Sequence, residues 1–329
     1  MQKHSIKKEI IVEYSKSEYS GYLICGKLKA AIAYLEQFPE KLVKVEKYKS
    51  IFYEKKLPQA CDNSVVNNIL FPFYMYYHDI FFDEISEDEG RAALTERLAQ
   101  LLHLEYSKNW TTKEYEKFFD DEIEPRLEEI VTAEGYHYMG GDTQGHMGPY
   151  IWKDESLTTF EVQLPNQTEQ YTVNLLSGFV SRSWLDYISL KEIGPAGWAG
   201  KDGIINCVID AYKEGIESEP FQVHFLKHEA QHIVDYTANP ELSGVDLEYR
   251  AKLVELIYSK RDIFEYFLRE ASNEDFNNSH AYASYRIVEN LSKKIFGVEY
   301  ETDLDRWETV REEIKEKALE LYKEWEAFV

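Results

Sequence analysis

The sequence predicts an α+β fold, a mostly helical chain with a small mixed sheet at its centre. Apolar residues recur at helical spacing through residues 1–130 and again through 218–329, whereas short β-prone runs concentrate between 131 and 217. A cluster of glycines at 140–148 lies near the point where the helical pattern gives way to the β-prone runs. We therefore expect a helical N-terminal region (1–130), a sheet-containing subdomain (131–217) and a helical C-terminal subdomain (218–329).

Apolar stripes and one capping signal define the helices of the N-terminal region. Two stripes at helical spacing run over residues 28–35 and 92–102. Thr111 and Glu114 have the spacing of a capping box, which predicts that a helix begins after Thr111. The aromatic-rich run 69–82 predicts a helix buried in the core rather than a ligand platform.

The strands of the central subdomain are predicted from short runs of β-branched, aromatic and aliphatic residues. The predicted strands are 160–164, 171–176, 187–190 and 204–209. The glycine-rich segment 194–200 predicts a loop that another backbone can approach closely, since glycine has no Cβ.

The C-terminal subdomain reads as a series of helices. One begins at residues 218–220 and stops before Pro240, and the next covers about 246–259. Further helices are expected through 277–295. The last, from Asp303, carries a continuous apolar face that docks on the body of the protein or on a second subunit.

Composition narrows the cellular compartment in which the protein is expected and the classes of partner that it is expected to bind. The chain has 329 residues, no run of 18 apolar residues to span a membrane, and no apolar signal-peptide core near its N-terminus. Its three cysteines, Cys25, Cys61 and Cys207, are far apart, as expected for free thiols in a reducing cytoplasm. The net charge of −23 disfavours nucleic acid and anionic membranes as partners. The sequence leaves the oligomeric state open.

The pentapeptide His228-Glu229-Ala230-Gln231-His232 predicts a metal site on a helix. Histidines four residues apart lie one turn apart on one face, so both rings can reach one ion. Glu229 lies beside that face, where it can take a proton from a water that the ion activates without being a ligand. Chance alone would give this pattern about 0.03 times in a chain of this composition, which favours a catalytic zinc site.

A zinc site of this kind needs a third protein ligand. His224 is about 12 Å from His232 along the helix axis, too far for both to bind one ion beside His228. Glu248 is the preferred candidate, because it lies on the next predicted helix after a short turn that allows the two helices to pack side by side. Three other carboxylates remain open as the ligand: Asp246, Glu241 and Glu255.

A His-Glu-x-x-His motif with a glutamate on the following helix resembles the gluzincin branch of the zincin metallopeptidases, over about residues 195–290. The resemblance implies that Zn²⁺ is bound by His228, His232 and Glu248, and that Glu229 is the general base. It also implies a peptide or protein substrate and a downstream His or Tyr that stabilises the oxyanion.

Candidates for the supporting roles lie on both sides of Glu248. His280 is the preferred oxyanion donor, assisted by Tyr282 or Tyr285. Asp235, about one turn after His232, is expected to orient a ligand histidine by a hydrogen bond or to be an exposed aspartate at the helix end. Asp235 also stands where the related metzincin pattern has a glycine, and that pattern is absent.

The sequence supports three functions of different classes. The first is a zinc peptidase, and the second is a metal hydrolase that acts on a non-peptide bond. The third is a helical interaction or regulatory protein with a structural or degenerate metal site, to which the large helical regions would be suited. The intact Glu229 argues against the third, because a structural site has no use for a base. Endo- or exopeptidase action and the identity of the substrate are left open.

Overall fold

The computed structural model describes residues 13–200, 202–261, 263–271 and 278–326. The predicted α+β class is confirmed, with helices dominating and all described strands falling between residues 137 and 208. The N-terminal stretch examined for a signal peptide lies outside the described residues. None of the described helices is both long and apolar enough to cross a lipid bilayer.

The chain forms two compact units. The first unit comprises Met1–Asp154 and Gly178–Gly194, and the second comprises Glu155–Ser177 and Pro195–Val329. The predicted sheet-containing subdomain 131–217 is divided between them, because its strands pair into separate sheets.

Eight helices are described in the first unit. They are α1 (Lys16–Ile24), α2 (Leu28–Leu35), α3 (Leu42–Tyr48), α4 (Ser64–Phe81), α5 (Glu87–Leu101), α6 (Thr112–Phe118), α7 (Glu124–Ala133) and α8 (Ser183–Ile188). The capping box at Thr111 and Glu114 is confirmed, and it begins α6. The aromatic run lies in α4, whose side chains are mostly buried in the core of this unit, as predicted.

Nine strands are described along the chain. They are β1 (His137–Met139), β2 (Asp142–Thr143), β3 (His146–Met147), β4 (Tyr150–Trp152), β5 (Asp154–Gln163), β6 (Thr168–Ser177), β7 (Ser181–Arg182), β8 (Gly197–Ala199) and β9 (Ile205–Val208). Three of the four predicted strands correspond to β5, β6 and β9. The prediction of a strand over 187–190 is wrong, because residues 187 and 188 are the last two of α8 and residues 189 and 190 form the turn after it. Trp184, Tyr187 and Ile188 have the spacing of one helix face. In so short an apolar run, helical periodicity cannot be distinguished from a buried strand.

The first unit contains the antiparallel sheet β1-β4-β7 and the hairpin β2-β3, and the second contains a mixed sheet in the order β5-β6-β9-β8. In the mixed sheet β9 runs parallel to β6 and antiparallel to β8. The segment 194–200 is therefore not only a loop, because it includes the edge strand β8. The predicted close approach at its glycines is confirmed: a Cβ on Gly197 would lie 2.4 Å from the carbonyl oxygen of Asn206.

The helices of the second unit follow the sheet. They are α9 (Glu219–Phe221), α10 (His228–Ala238), α11 (Gly244–Tyr258), α12 (Phe264–Ala271), α13 (Ser279–Phe296), α14 (Leu304–Glu308) and α15 (Arg311–Glu326). A π-helical turn over Gln222–Lys227 joins α9 to α10. The predicted last helix is two helices, α14 and α15, and its apolar side packs in the core of this unit.

Buried polar contacts fix α10 against α11 and α15. Arg250 of α11 is 3% exposed and donates from Nε to Asp235 of α10 at 2.8 Å. Tyr322 of α15 donates to Gln231 of α10 at 2.9 Å and accepts from Arg250 at 3.1 Å. Because a buried pair is costly to break, these contacts hold the helix that carries the histidines in register with the helix that carries Glu248.

Candidate metal centre

The two motif histidines lie at the start of α10. His228 is 8% and His232 is 9% exposed, and their ring centroids are 4.6 Å apart. The π-helical turn before His228 widens the preceding helical turn, a local geometry that is common at functional sites. The predicted convergence of the two rings on one face is therefore present in the structure.

Glu248 faces both rings from α11. Its Oε2 lies 3.5 Å from Nε2 of His228, and its Oε1 lies 3.5 Å from Nε2 of His232. One ligand atom from each of the three residues lies within 4.8 Å of the other two. Neighbouring ligands of a tetrahedral ion with bonds of about 2.1 Å are separated by about 3.4 Å. The donor set and its spacing thus fit Zn²⁺, with a coordination position left for water or substrate.

The other carboxylates that the sequence left open have different contacts. Asp246 pairs with Arg286 at 2.8 Å and accepts a hydrogen bond from Ser243 at 2.7 Å. Glu241 is exposed in the loop before α11. Glu255 lies two turns beyond Glu248, where its carboxylate meets the Nδ1 side of His228. Glu248 is thus the carboxylate that the fold brings to both Nε2 atoms.

Glu255 links two histidines. Nδ1 of His228 donates to Oε1 of Glu255 at 2.7 Å, and Nδ1 of His224 donates to Oε2 at 2.9 Å. His224 therefore lies outside the cluster of three candidate ligands and contacts the carboxylate that bonds to His228. Sequence reasoning missed this role of Glu255, although its position seven residues after Glu248 on one helix face is a usable signal.

The acidic surroundings control the charge of the buried groups. Burial alone would lower the pKa of His228, but the hydrogen bond to Glu255 and the nearby Glu248 and Glu229 raise it to about 9. Burial alone would raise the pKa of Glu255, but hydrogen bonds from His224 and His228 lower it to about 2. His232 and His280 hold the pKa of Glu248 far below its usual range, against the effect of burial. The centre therefore concentrates negative charge where a cation is expected.

Glu255→Gln is expected to lower zinc affinity by roughly 10- to 100-fold, because a carboxylate behind a ligand histidine fixes its ring and raises its basicity. Competition with a fluorescent chelator measures the change. Glu241→Gln, which removes an exposed carboxylate, is the matched control and should bind zinc like the parent. An unchanged affinity in Glu255→Gln would mean that His228 does not depend on this contact.

Glu229 faces a cavity of about 480 Å³ in the second unit. The same cavity is lined by Gly197, the first residue of the edge strand β8, and by Ala196 just before it. Tyr212 and Tyr266 line it as well. Within the described part of the chain, Glu229 makes no hydrogen bond or ion pair with another residue. A half-buried carboxylate that makes no hydrogen bond or ion pair, and that shares a cavity with the candidate ligand His228, is available to take a proton.

Among the predicted oxyanion donors, His280 lines the cavity and Tyr282 does not. Nδ1 of His280 lies 3.0 Å from Oε2 of Glu248, and the His280 side chain is 58% exposed. Tyr282 stacks on Tyr285 instead, because two positions along α13 rotate a side chain by about 200°. Tyr212 and Tyr266 occupy the cavity wall where a tyrosine was expected, and sequence reasoning missed both.

One of the two roles predicted for Asp235 required a hydrogen bond to a ligand histidine, and the described residues show no such bond. Its Oδ1 accepts from Gln231 at 2.9 Å and from Arg250 at 2.8 Å, and it is 2% exposed rather than a surface residue. Nδ1 of His232 is buried without a hydrogen-bond partner in the described residues. Asp235 thus supports the site by joining α10 to α11.

Comparisons with protein-family models, with curated proteins and with solved structures each find no match to this chain.

Proposed function

We propose that the protein is a zinc-dependent hydrolase of the gluzincin type, and specifically a peptidase. One observation carries the proposal: Glu229 lines a cavity together with His228, and His228 forms with His232 and Glu248 a cluster whose spacing suits a tetrahedral ion. A structural metal site would need a fourth protein ligand, but neither the cavity nor the free carboxylate.

The residues of the cavity would divide the work of hydrolysis. A zinc ion at the three ligands would lower the pKa of a water molecule and polarise a substrate carbonyl. Glu229 takes the proton of the attacking water and passes it to the leaving amine. His280 and Tyr212 line the cavity and could donate a hydrogen bond to the oxyanion, whereas the hydroxyl of Tyr266 already donates to Glu270 at 3.2 Å.

The edge strand β8 supports a peptide substrate over a smaller ester or amide. It is the terminal strand of the described mixed sheet, and Gly197 lies at the cavity that Glu229 lines. An extended peptide can add to such an edge as a further strand, with its carbonyl groups held by backbone hydrogen bonds. The neighbouring strand β9 lies between β6 and β8 and is not an edge.

We also propose that the protein works in the cytoplasm. Cys25, Cys61 and Cys207 are all unpaired in the structure, which suits a reducing compartment.

The experiment is a cleavage assay with a diverse peptide library at neutral pH, followed by mass spectrometry. The purified protein with one equivalent of zinc should cleave a subset of the peptides, and o-phenanthroline should abolish the cleavage. Readdition of zinc should restore it. Absence of cleavage by a fully zinc-loaded protein would favour the interaction-protein alternative, and cleavage that survives the chelator would contradict a metal-dependent mechanism.

A further inference from the structure

His78 lies near the end of α4 in the first unit, with its ring almost fully buried. The His78 side chain is 6% exposed, and its ring centroid lies 6.1 Å from that of Phe52 and 5.1 Å from that of Phe82. Nε2 of His78 lies 2.7 Å from the backbone carbonyl oxygen of Phe52, which can only accept a hydrogen bond. Nε2 therefore carries a proton, and Nδ1 of the neutral ring presents a lone pair.

Two aspartates lie beside this ring. Asp79 is in the last turn of α4, and Asp83 follows the end of that helix. One nitrogen of His78 and one oxygen from each aspartate lie within 4.8 Å of one another. Because Nε2 is bonded to the backbone, Nδ1 is the nitrogen that can bind an ion. The group thus offers one nitrogen and two carboxylate ligands.

The distance between Nδ1 of His78 and Oδ2 of Asp83 is 3.3 Å, and Nδ1 makes no hydrogen bond within the described residues. A protonated ring bonded to a carboxylate gives about 2.7–2.9 Å, as between His228 and Glu255 at 2.7 Å. The 3.3 Å separation is closer to the 3.5 Å between His228 and Glu248 at the candidate metal centre. Neighbouring ligands of a tetrahedral ion are separated by about 3.4 Å. An ion between the lone pair and the carboxylate would also remove their repulsion.

Both aspartates keep an oxygen for an ion. Arg97 donates from Nη2 to Oδ2 of Asp79 at 2.6 Å, and Oδ1 accepts no hydrogen bond from the described residues. Carboxylates that bind metal ions are commonly held by a hydrogen bond of this kind. The Asp83 side chain is 44% exposed, so an ion can enter from solvent. Arg97, and Lys55 at 3.6 Å from Asp83, reduce the negative charge of the cluster, so its affinity for a cation should be lower than at the centre with His228.

We propose that His78, Asp79 and Asp83 form a second metal site, which binds zinc more weakly than the centre at His228. A nitrogen ligand beside two carboxylates suits zinc better than calcium or magnesium, which are bound by oxygen ligands. The ion would tie the last turn of α4 to the segment that follows it. This site is independent of the peptidase function proposed above.

Calorimetric zinc titration of the full-length His228→Ala/His232→Ala double variant tests the second site, because this background lacks two ligands of the other centre. One saturable zinc site per chain is expected, and calcium should not compete for it. Adding Asp83→Asn should weaken zinc binding at least about tenfold, since loss of a group that only supports a ligand already costs about 10- to 100-fold. Adding Glu84→Gln instead removes an exposed carboxylate one residue away and should leave the affinity unchanged.

The parent chain gives a second test that does not depend on how the double variant folds. Its titration should show two zinc sites, of which Asp83→Asn removes or weakens only the weaker one. Dialysis against a weak chelator should empty the weaker site and leave zinc at the centre with His228. Absence of saturable zinc binding in the folded double variant, or equal zinc affinity with and without Asp83→Asn, would overturn the proposal.

Discussion

Glu229→Gln is expected to abolish peptide hydrolysis while leaving zinc bound and the fold intact. Glutamine matches glutamate in size but cannot accept a proton from water at neutral pH. Glu229 is not among the three candidate ligands, and it makes no hydrogen bond or ion pair with another described residue that the substitution would break. Loss of a positioned general base costs on the order of 10²–10⁴ in rate, and more where the same group orients the water.

The measurement compares kcat/KM on a peptide that the parent cleaves, with zinc content determined on the same preparations. Glu241→Gln is the matched control, because it makes the same chemical change at an exposed position near the same helix. Full activity in Glu229→Gln would assign the cleavage to a contaminant or to another site. A large loss of zinc in Glu229→Gln would instead make Glu229 a ligand and not a base.

Short-range patterns were sufficient to predict the centre of the candidate site. Helical periodicity alone places His228 and His232 on one face, and a short turn between two helices brings Glu248 to them. Capping and turn residues likewise located α6 and the start and end of the helix that contains α10. In each case the interaction that decides the structure joins residues close together in the chain.

The features that the sequence did not predict depend on tertiary packing. The hydrogen bond from His228 to Glu255 depends on how α11 lies against α10 and the π-helical turn, so the seven-residue spacing from Glu248 could suggest this contact but not fix it. The cavity tyrosines Tyr212 and Tyr266 come from separate elements that meet only in the folded unit. The division of 131–217 between two units depends on strand pairing over long sequence distances, as for β6 with β9.

Removing the candidate ligands is expected to empty the metal centre. Parent protein should hold one zinc ion per chain, and His228→Ala and His232→Ala should each lower bound zinc sharply, because two remaining ligands hold an ion weakly. Glu248→Gln should weaken retention as well, since it replaces an anionic ligand by a neutral amide. Elemental analysis after dialysis against a weak chelator gives the zinc content of each variant.

Two controls separate ligands from neighbours. His224→Ala removes a histidine that hydrogen-bonds to Glu255 and is not among the three candidate ligands, so this variant should keep one zinc ion with reduced affinity. Asp246→Asn should keep its zinc, because Asp246 pairs with Arg286. If Asp246→Asn empties the site, the third ligand is an aspartate and the gluzincin assignment is wrong.

The pH dependence of retention gives an independent measure of the same ligands. Zinc binds only deprotonated imidazole, so retention by the parent should weaken as the pH falls through the histidine range, and protons should be released when zinc is added at neutral pH. Circular dichroism of each variant separates loss of ligands from loss of fold, since the two histidines are buried. Stoichiometric zinc in the folded His228→Ala/His232→Ala double variant would place the metal elsewhere and remove the basis for a peptidase.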